Sequence, residues 1–447
     1  MTGNKSVLVI GGGVAGIQAS LDLAEQDFTV YLVERNPSIG GRMAQLDKTF
    51  PTNDCSMCIL APKMLECFGH ENINVLSYSE VNEVSGEVGD FTVKVRKKPR
   101  YVDEEKCTGC GLCVDACLLK DRFPDEFDMG LRNRGAAYLP FVQAVPKVAV
   151  IDPEQCLFIT KGKCGKAPAC KEACERDAID FNQKEEEIEL HVGAIIVATG
   201  LEVYEPYDLE EYGYGRIQNV ITGLQYERMI NAGGPTGGHL VRLSDGKPAK
   251  KLAFILCVGS RDLKRRPYCS SVCCMYATKS GMLAREHEVD MESFVFYTDL
   301  RAFGRGFQEY IDRGMEEYGI TYIRAKPGKI TENEHKSPVV WYEDTLTGEL
   351  KRMEVDLVIL ATALQPSKGI DELAKVLGVE LDAYGFLKPK DPLYAPVDTT
   401  RAGIFVCGFA QCPKDISDSV AQASSAAGRA GEVISQLSLK TGVLREK

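Results

Sequence analysis

Cys107, Cys110, Cys113 and Cys117 form a Cys-x2-Cys-x2-Cys-x3-Cys run, and four more cysteines follow at Cys156, Cys164, Cys170 and Cys174. A short turn carrying Thr108, Gly109 and Gly111 lets three sulfurs wrap one face of an iron-sulfur cubane, while the fourth cysteine of such a run reaches across to a second cluster. The economical reading is two 4Fe-4S clusters. One takes Cys107, Cys110 and Cys113 with Cys174; the other takes Cys156, Cys164 and Cys170 with Cys117. A zinc ribbon and buried free thiols are the competing readings, although zinc sites favour two separated cysteine pairs. The second run is stretched by insertions, and Leu118 and Glu175 stand where a proline usually follows.

Seventeen cysteines in 447 residues point to metal or redox use in a reducing compartment. A chain of this length holds two or three domains. Its formal charge of −11 argues against nucleic acid or an anionic membrane as the principal partner, because both need clustered cations. The first apolar run, Val7 to Ile10, ends at once in glycines, as a signal peptide would not. No run approaches the ~20 apolar residues of a membrane span. A cytoplasmic protein without a membrane span is therefore expected.

A buried strand, Ser6 to Ile10, runs into Gly11, Gly13 and Gly16, and a helix is predicted from about Val14 to Gln26. Such glycines permit the tight turn, the approach of backbone to a pyrophosphate and close helix-strand packing. A second strand, Thr29 to Val33, leads to Glu34, whose carboxylate can accept from a ribose hydroxyl. Gly40, Gly41 and Arg42 follow, an extended phosphate-binding signature like that of FAD enzymes with two dinucleotide-binding domains. The competing reading is a plain βαβ unit without ligand. Next come Cys55 and Cys58, with Cys67 downstream. They read as a flavin-coupled dithiol, as ligands to a further cluster or a partner's cluster, or as buried structural thiols.

Ile73 to Lys97 reads as an antiparallel hairpin broken at Gly86 and Gly89, and Phe123 to Pro146 as loop with short strands. The strand Ile195 to Val197, ending in Ala198, Thr199 and Gly200, resembles the second signature of the same flavoproteins. The cysteine module is thus an insertion. The expected parts are an FAD-binding domain in three pieces (1–98, 186–215 and 385–447), an inserted ferredoxin-like domain (99–185) and a second dinucleotide-type domain (216–384).

In that second domain the strand Leu252 to Val258 is followed by no glycine fingerprint. Cysteines precede the next helix instead, so nicotinamide binding is read as lost. Cys257, Cys269, Cys273 and Cys274 can supply four thiolates to a third 4Fe-4S cluster; a reactive thiol patch or simple packing is the rival. Lys279, beyond them on that helix, is read either as a flavin neighbour or as an ordinary solvated lysine. Near the C-terminus the strand through Val406 turns at Gly408, with Phe409 where relatives carry Asp. Asp415 then opens a helix of small residues, Ser417 to Gln436, whose N-terminus can face a flavin ring or serve close packing.

Thr52 to Met64, the inserted cysteine module, Tyr268 to Lys279 and Pro413 to Ala423 together resemble the A subunit of heterodisulfide reductase. The resemblance implies an α/β, thioredoxin-reductase-like flavoprotein with two dinucleotide-binding domains and an inserted ferredoxin-like iron-sulfur domain. It implies FAD as the branching cofactor, a cluster at Cys257, Cys269, Cys273 and Cys274, and Lys279 beside flavin N5. The implied partners are the other subunits of such a complex, a hydrogenase, formate dehydrogenase or similar electron-donating module, and ferredoxin, in a hetero-oligomer that relays or bifurcates electrons. The rival functions are an NAD(P)H-dependent thiol-disulfide oxidoreductase, a flavoprotein like the small subunit of glutamate synthase, and a non-catalytic scaffold.

Overall fold

The computed structural model describes residues 5–443. Within them the chain divides into two compact units, one comprising residues 5–44, 59–201 and 366–443, the other 45–58 and 202–365.

In the first unit, alternation gives way to continuous apolar runs, as expected of parallel strands covered on both faces. Ser6–Ile10 lies between Ala194–Val197 and Thr29–Glu34, both parallel to it, with Leu8 opposite Ile195 and Tyr31. Ile404–Val406 adds on beside Ala194–Val197, and Ile73–Ser77 beside Thr29–Glu34. The chain therefore returns to its first sheet twice, after the cysteine module and again near its end. Helices Val14–Ala24 and Ile416–Val443 pack on one another. The predicted hairpin is shorter than the alternation suggested. Tyr78, at φ 57, breaks the run, so Ile73–Ser77 joins the parallel sheet while Ser79–Glu87 and Asp90–Lys97 form the antiparallel pair.

The inserted module has little regular structure and a core built partly of its own cysteines. Its two halves repeat one device. Asp103 Oδ1 accepts from the amides of Glu105 and Lys106, and the Cys107 amide donates to the Asp103 carbonyl. Asp152 does the same for Glu154, Gln155 and Cys156. Short helices Leu112–Asp115 and Ala169–Glu172 then present Cys117 and Cys174 just past their ends.

The second unit holds a five-stranded parallel sheet in the order Val220–Thr222, Leu357–Thr362, Lys251–Val258, Glu292–Tyr297, Thr321–Arg324. A separate antiparallel sheet runs through Lys329–Glu332, Pro338–Asp344 and Glu349–Glu354. Gly223–Ile230 starts with a capping box, in which Thr222 and Gln225 bond reciprocally. Helix Cys273–His287 follows the Lys251–Val258 strand. The ribbon Lys48–Thr49 with Asp54–Cys55 also belongs to this unit, although the sequence reading assigns it to the first FAD-binding part. Among the described residues no helix is long and apolar enough to cross a membrane.

Candidate flavin and iron-sulfur sites

The glycine cradle in the first unit is dictated by space. Gly11 adopts φ 110, and a Cβ there would strike the Ala198 carbonyl; a Cβ on Gly16 would strike the Gly11 carbonyl oxygen. A Cβ on Gly41 would come within 2.9 Å of the Gly13 Cα, and the Gly40 amide donates to the Gly12 carbonyl at 2.7 Å. The two glycine-rich loops thus meet backbone to backbone, with Arg42 on the short helical turn Gly41–Gln45. Among the described residues no side chain caps the helix that starts at Val14, so its N-terminal amides are available to a phosphate.

Glu34 Oε2 accepts from the Gly12 amide at 2.7 Å and Oε1 from the Asn36 amide at 2.8 Å. Burial pushes its carboxyl above the usual range, while the Asn36 and Gly12 amides pull it back. At the neighbouring strand end, Thr199 Oγ1 is buried with no partner among the described residues, and Gly200 follows at φ 68. An unmatched hydroxyl beside a glycine cradle fits a dinucleotide with polar groups to offer.

Asp415 Oδ1 accepts from the Asp418 amide at 2.8 Å and so caps the C-terminal helix. Lys414, which sequence reasoning passed over, lies beside it. Its Nζ donates to the Gly408 carbonyl at 3.0 Å and to Gln411 and Gln422 at 2.7 Å each. All three acceptors are neutral, and burial lowers the pKa of the ammonium. A lysine at the start of a helix opposes the dipole, and that was the signal available in the sequence.

The inserted module is stitched to this cradle within the first unit. Ile39 donates its amide to the Val145 carbonyl at 2.9 Å, and Val145 donates its own to Ser38 Oγ at 2.8 Å. Arg100 Nη2 reaches the Pro37 carbonyl and Ser77 Oγ, both at 2.7 Å. The cysteine module therefore contacts the segment that leads into Gly40 and Gly41.

Sulfurs gather into three sets. Burial, and then the neighbouring Cys107, Cys170, Cys174 and Cys110, push the Cys113 thiol up to about 12. Cys170 is raised to about 11 by burial and then by Cys117, Cys156 and Cys164; these four line one cavity with Phe158, Phe181 and Leu119. In the second unit, burial and then Cys257, Cys274 and Cys269 raise Cys273 well above an ordinary thiol. Thiolates so crowded repel one another unless iron compensates them, and that donor set fits cubanes. Among the described residues no three His, Cys, Asp or Glu side chains converge closely enough to hold a single ion. Cubane ligands are spread more widely than zinc ligands, since each binds its own iron.

Cys257 sits at φ 59 where the register of its strand shifts between Ile255 and Val258. Such a bulge re-aims a side chain. Lys279 is almost wholly buried, ion-paired with Glu227, and donates to the Lys48 carbonyl at 2.8 Å. Glu227 also accepts from the Asp47 amide at 3.0 Å. Lys279 is thus no solvated lysine, and Glu227 is a second residue that sequence reasoning missed; the Thr222 and Gln225 box marked its helix. Lys48 pairs with Cys55 across the small ribbon, so Lys279 and Cys55 both adjoin Lys48. Cys55 and Cys58 form a disulfide with Cys58 exposed. Cys67 is fully buried, and burial pushes its thiol up to about 12.

The family model for FAD dependent oxidoreductase matches residues 6–56, and that for the 4Fe-4S binding domain matches residues 100–117. FAD and 4Fe-4S binding follow from these matches and from the geometry that they cover. Thioredoxin reductase from Lactococcus lactis is similar in fold, with a TM-score of 0.52 over 96% of this chain and 99% of that one, at 16% identity. The chain is 52% identical over 428 residues to the A subunit of the H(2):CoB-CoM heterodisulfide,ferredoxin reductase of Methanothermobacter marburgensis, covering 96% of this chain and 63% of that protein. It is 47% identical to a protein of Archaeoglobus profundus named for its likeness to the heterodisulfide reductase A subunit, covering 98% of this chain and 67% of that protein. The chain thus spans about two thirds of the length of these relatives, and it belongs to the family of heterodisulfide reductase A subunits.

Proposed function

We propose that this chain is the FAD- and iron-sulfur-dependent electron-transfer component of a heterodisulfide-reductase-like complex. The observation that carries the reading is the Ile39 to Val145 hydrogen bond at 2.9 Å, which sets the cysteine module against the flavin cradle. Bound at these sites, a flavin handles electrons in pairs and cubanes handle them singly, so the combination divides or merges electron flow.

Gly11, Gly13, Gly16 and Gly41 admit the pyrophosphate, Glu34 accepts from the ribose, and Gly408 with the helix start at Asp415 faces the ring. Cys107, Cys110, Cys113 and Cys174 hold one cluster. Cys117, Cys156, Cys164 and Cys170 hold the second, and Cys257, Cys269, Cys273 and Cys274 the third. Lys279 serves as the flavin neighbour and is ion-paired with Glu227. The partners in this reading are the other subunits of the complex and an electron-donating hydrogenase or formate dehydrogenase module, with ferredoxin as an acceptor. The H(2) and ferredoxin in the name of the Methanothermobacter marburgensis relative support the hydrogenase and the ferredoxin of that set.

One observation favours a second reading, an NAD(P)H-dependent thiol-disulfide oxidoreductase: the disulfide between Cys55 and Cys58. Anaerobic purification with partners attached, followed by flavin and iron analysis, separates the two. The first reading expects FAD and about twelve irons per chain, with no bleaching of the flavin by NAD(P)H alone. Rapid bleaching by NAD(P)H, or iron-free protein, would overturn it.

A further inference from the structure

Each sulfur of the third set meets a hydrogen-bond donor. The Ser271 amide donates to Cys269 Sγ and the Arg301 amide to Cys274 Sγ, both at 3.4 Å. The Tyr276 side chain bonds Cys273, and Arg261 Nη1 reaches Cys257 Sγ at 3.9 Å. In the inserted module the sulfurs meet backbone amides: Gly109 on Cys107, Ala178 on Cys174, Ala169 on Cys164 and Lys171 on Cys170. Among these described contacts, a cation touches sulfur only at Cys257.

Arg261 is held in place. Its backbone is left-handed at φ 56, and its amide donates to the Tyr268 carbonyl at 2.9 Å. Its guanidinium pairs with Asp299, which also meets Arg301 Nε at 3.5 Å. Cys257 and Ser271 share the left-handed backbone, at φ 59 and 67. Non-glycine residues stay in that region only where their surroundings hold them there, and such residues concentrate at functional sites.

We infer that Arg261 makes the cluster at Cys257, Cys269, Cys273 and Cys274 the most readily reduced of the three, with Asp299 setting how much of that charge it feels. The proposal rests on the iron-sulfur reading of those cysteines. Hydrogen bonds and positive charge at thiolate sulfur withdraw electron density and stabilise the added charge of the reduced cluster, so its potential rises. This cluster would then collect single electrons leaving the flavin, while the inserted pair works at lower potential.

The test is a redox titration of the anaerobic holoprotein followed by electron paramagnetic resonance, in wild type, R261Q and D299N. A C257S variant identifies the third cluster's signal. As the potential is lowered, that signal should appear first in wild type. R261Q should move it to lower potential and D299N to higher, with the inserted clusters, FAD and iron content unchanged. No movement in either variant, or movement of both in one direction, overturns the proposal. Should R261Q lose iron, D299N decides alone, an unmoved or lowered potential counting against. A wild type with about eight irons per chain and no third signal would instead remove the cluster reading, and this proposal with it.

Discussion

Ser38 Oγ accepts the amide of Val145 at 2.8 Å, and both residues are buried. This bond, the neighbouring one from Ile39 to Val145 and the one from Arg100 to the Pro37 carbonyl join the cysteine module to the segment that leads into the glycine loops. Ser38→Ala leaves the Val145 amide without its acceptor, a loss of about 1–3 kcal/mol. Hydrogen exchange at Val145 should quicken, and electron transfer from flavin to the inserted clusters should slow, while FAD and iron stay bound. Unchanged exchange at that amide would show that the seam is held elsewhere.

Glu34 gives a prediction with opposite signs for the apoprotein and the cofactor complex. Its folded pKa is raised by burial, so between the unfolded and folded values the native state binds more protons. Apoprotein stability at this site is then fully present below the unfolded value and declines as pH rises through the folded one. If FAD takes the carboxylate as acceptor, as proposed above, its affinity should rise over the same interval. Glu34→Gln should flatten both trends and weaken FAD binding about tenfold or more, as expected for losing a charged hydrogen bond. Flavin retention and thermal unfolding measured across pH check both signs; a variant with wild-type profiles removes Glu34 from the site.

Lys279 and Glu227 form a buried pair. Lys279→Met strands the Glu227 charge and should cost about 3–5 kcal/mol, whereas Lys279→Met with Glu227→Leu should recover part of it. In the single variant FAD should remain bound and its reactivity fall. Unaltered flavin potentials and turnover would take Lys279 out of the mechanism.

The crossed ligation of the inserted clusters is open to an iron count. If Cys117 serves the Cys156 set, Cys117→Ser combined with Cys156→Ser should lose about four irons, no more than either alone. Cys117→Ser combined with Cys107→Ser should lose about eight. The reverse pattern would mean that each run binds its own cluster.

Much of the site is local in sequence and was legible there. Gly11 and Gly16 must be glycine because neighbouring backbone occupies the space of their Cβ atoms, and the spacing of Cys107 to Cys117 confines three sulfurs to one turn. The strands at Ser6, Ile195 and Leu252 were visible as unbroken apolar runs. Glu227 was not seen, because it matters through a partner distant in the chain, Lys279, 52 positions on; Lys414 was not seen, because its acceptors Gly408, Gln411 and Gln422 converge on it only once the chain has turned into the last helix. The helix Ser56–Gly69 was hidden by its internal Pro62.

The amino-acid order by itself thus determined which residues could cradle a phosphate or bind iron, since those properties depend on residue type and short spacing. Tertiary structure decided which sulfurs gather, that Lys48 and Cys55 lie in the second unit, and that the inserted module abuts the glycine loops. Those outcomes depend on which long-range backbone groups satisfy one another when buried, as Ile39 and Val145 do, and residue spacing carries no record of that choice.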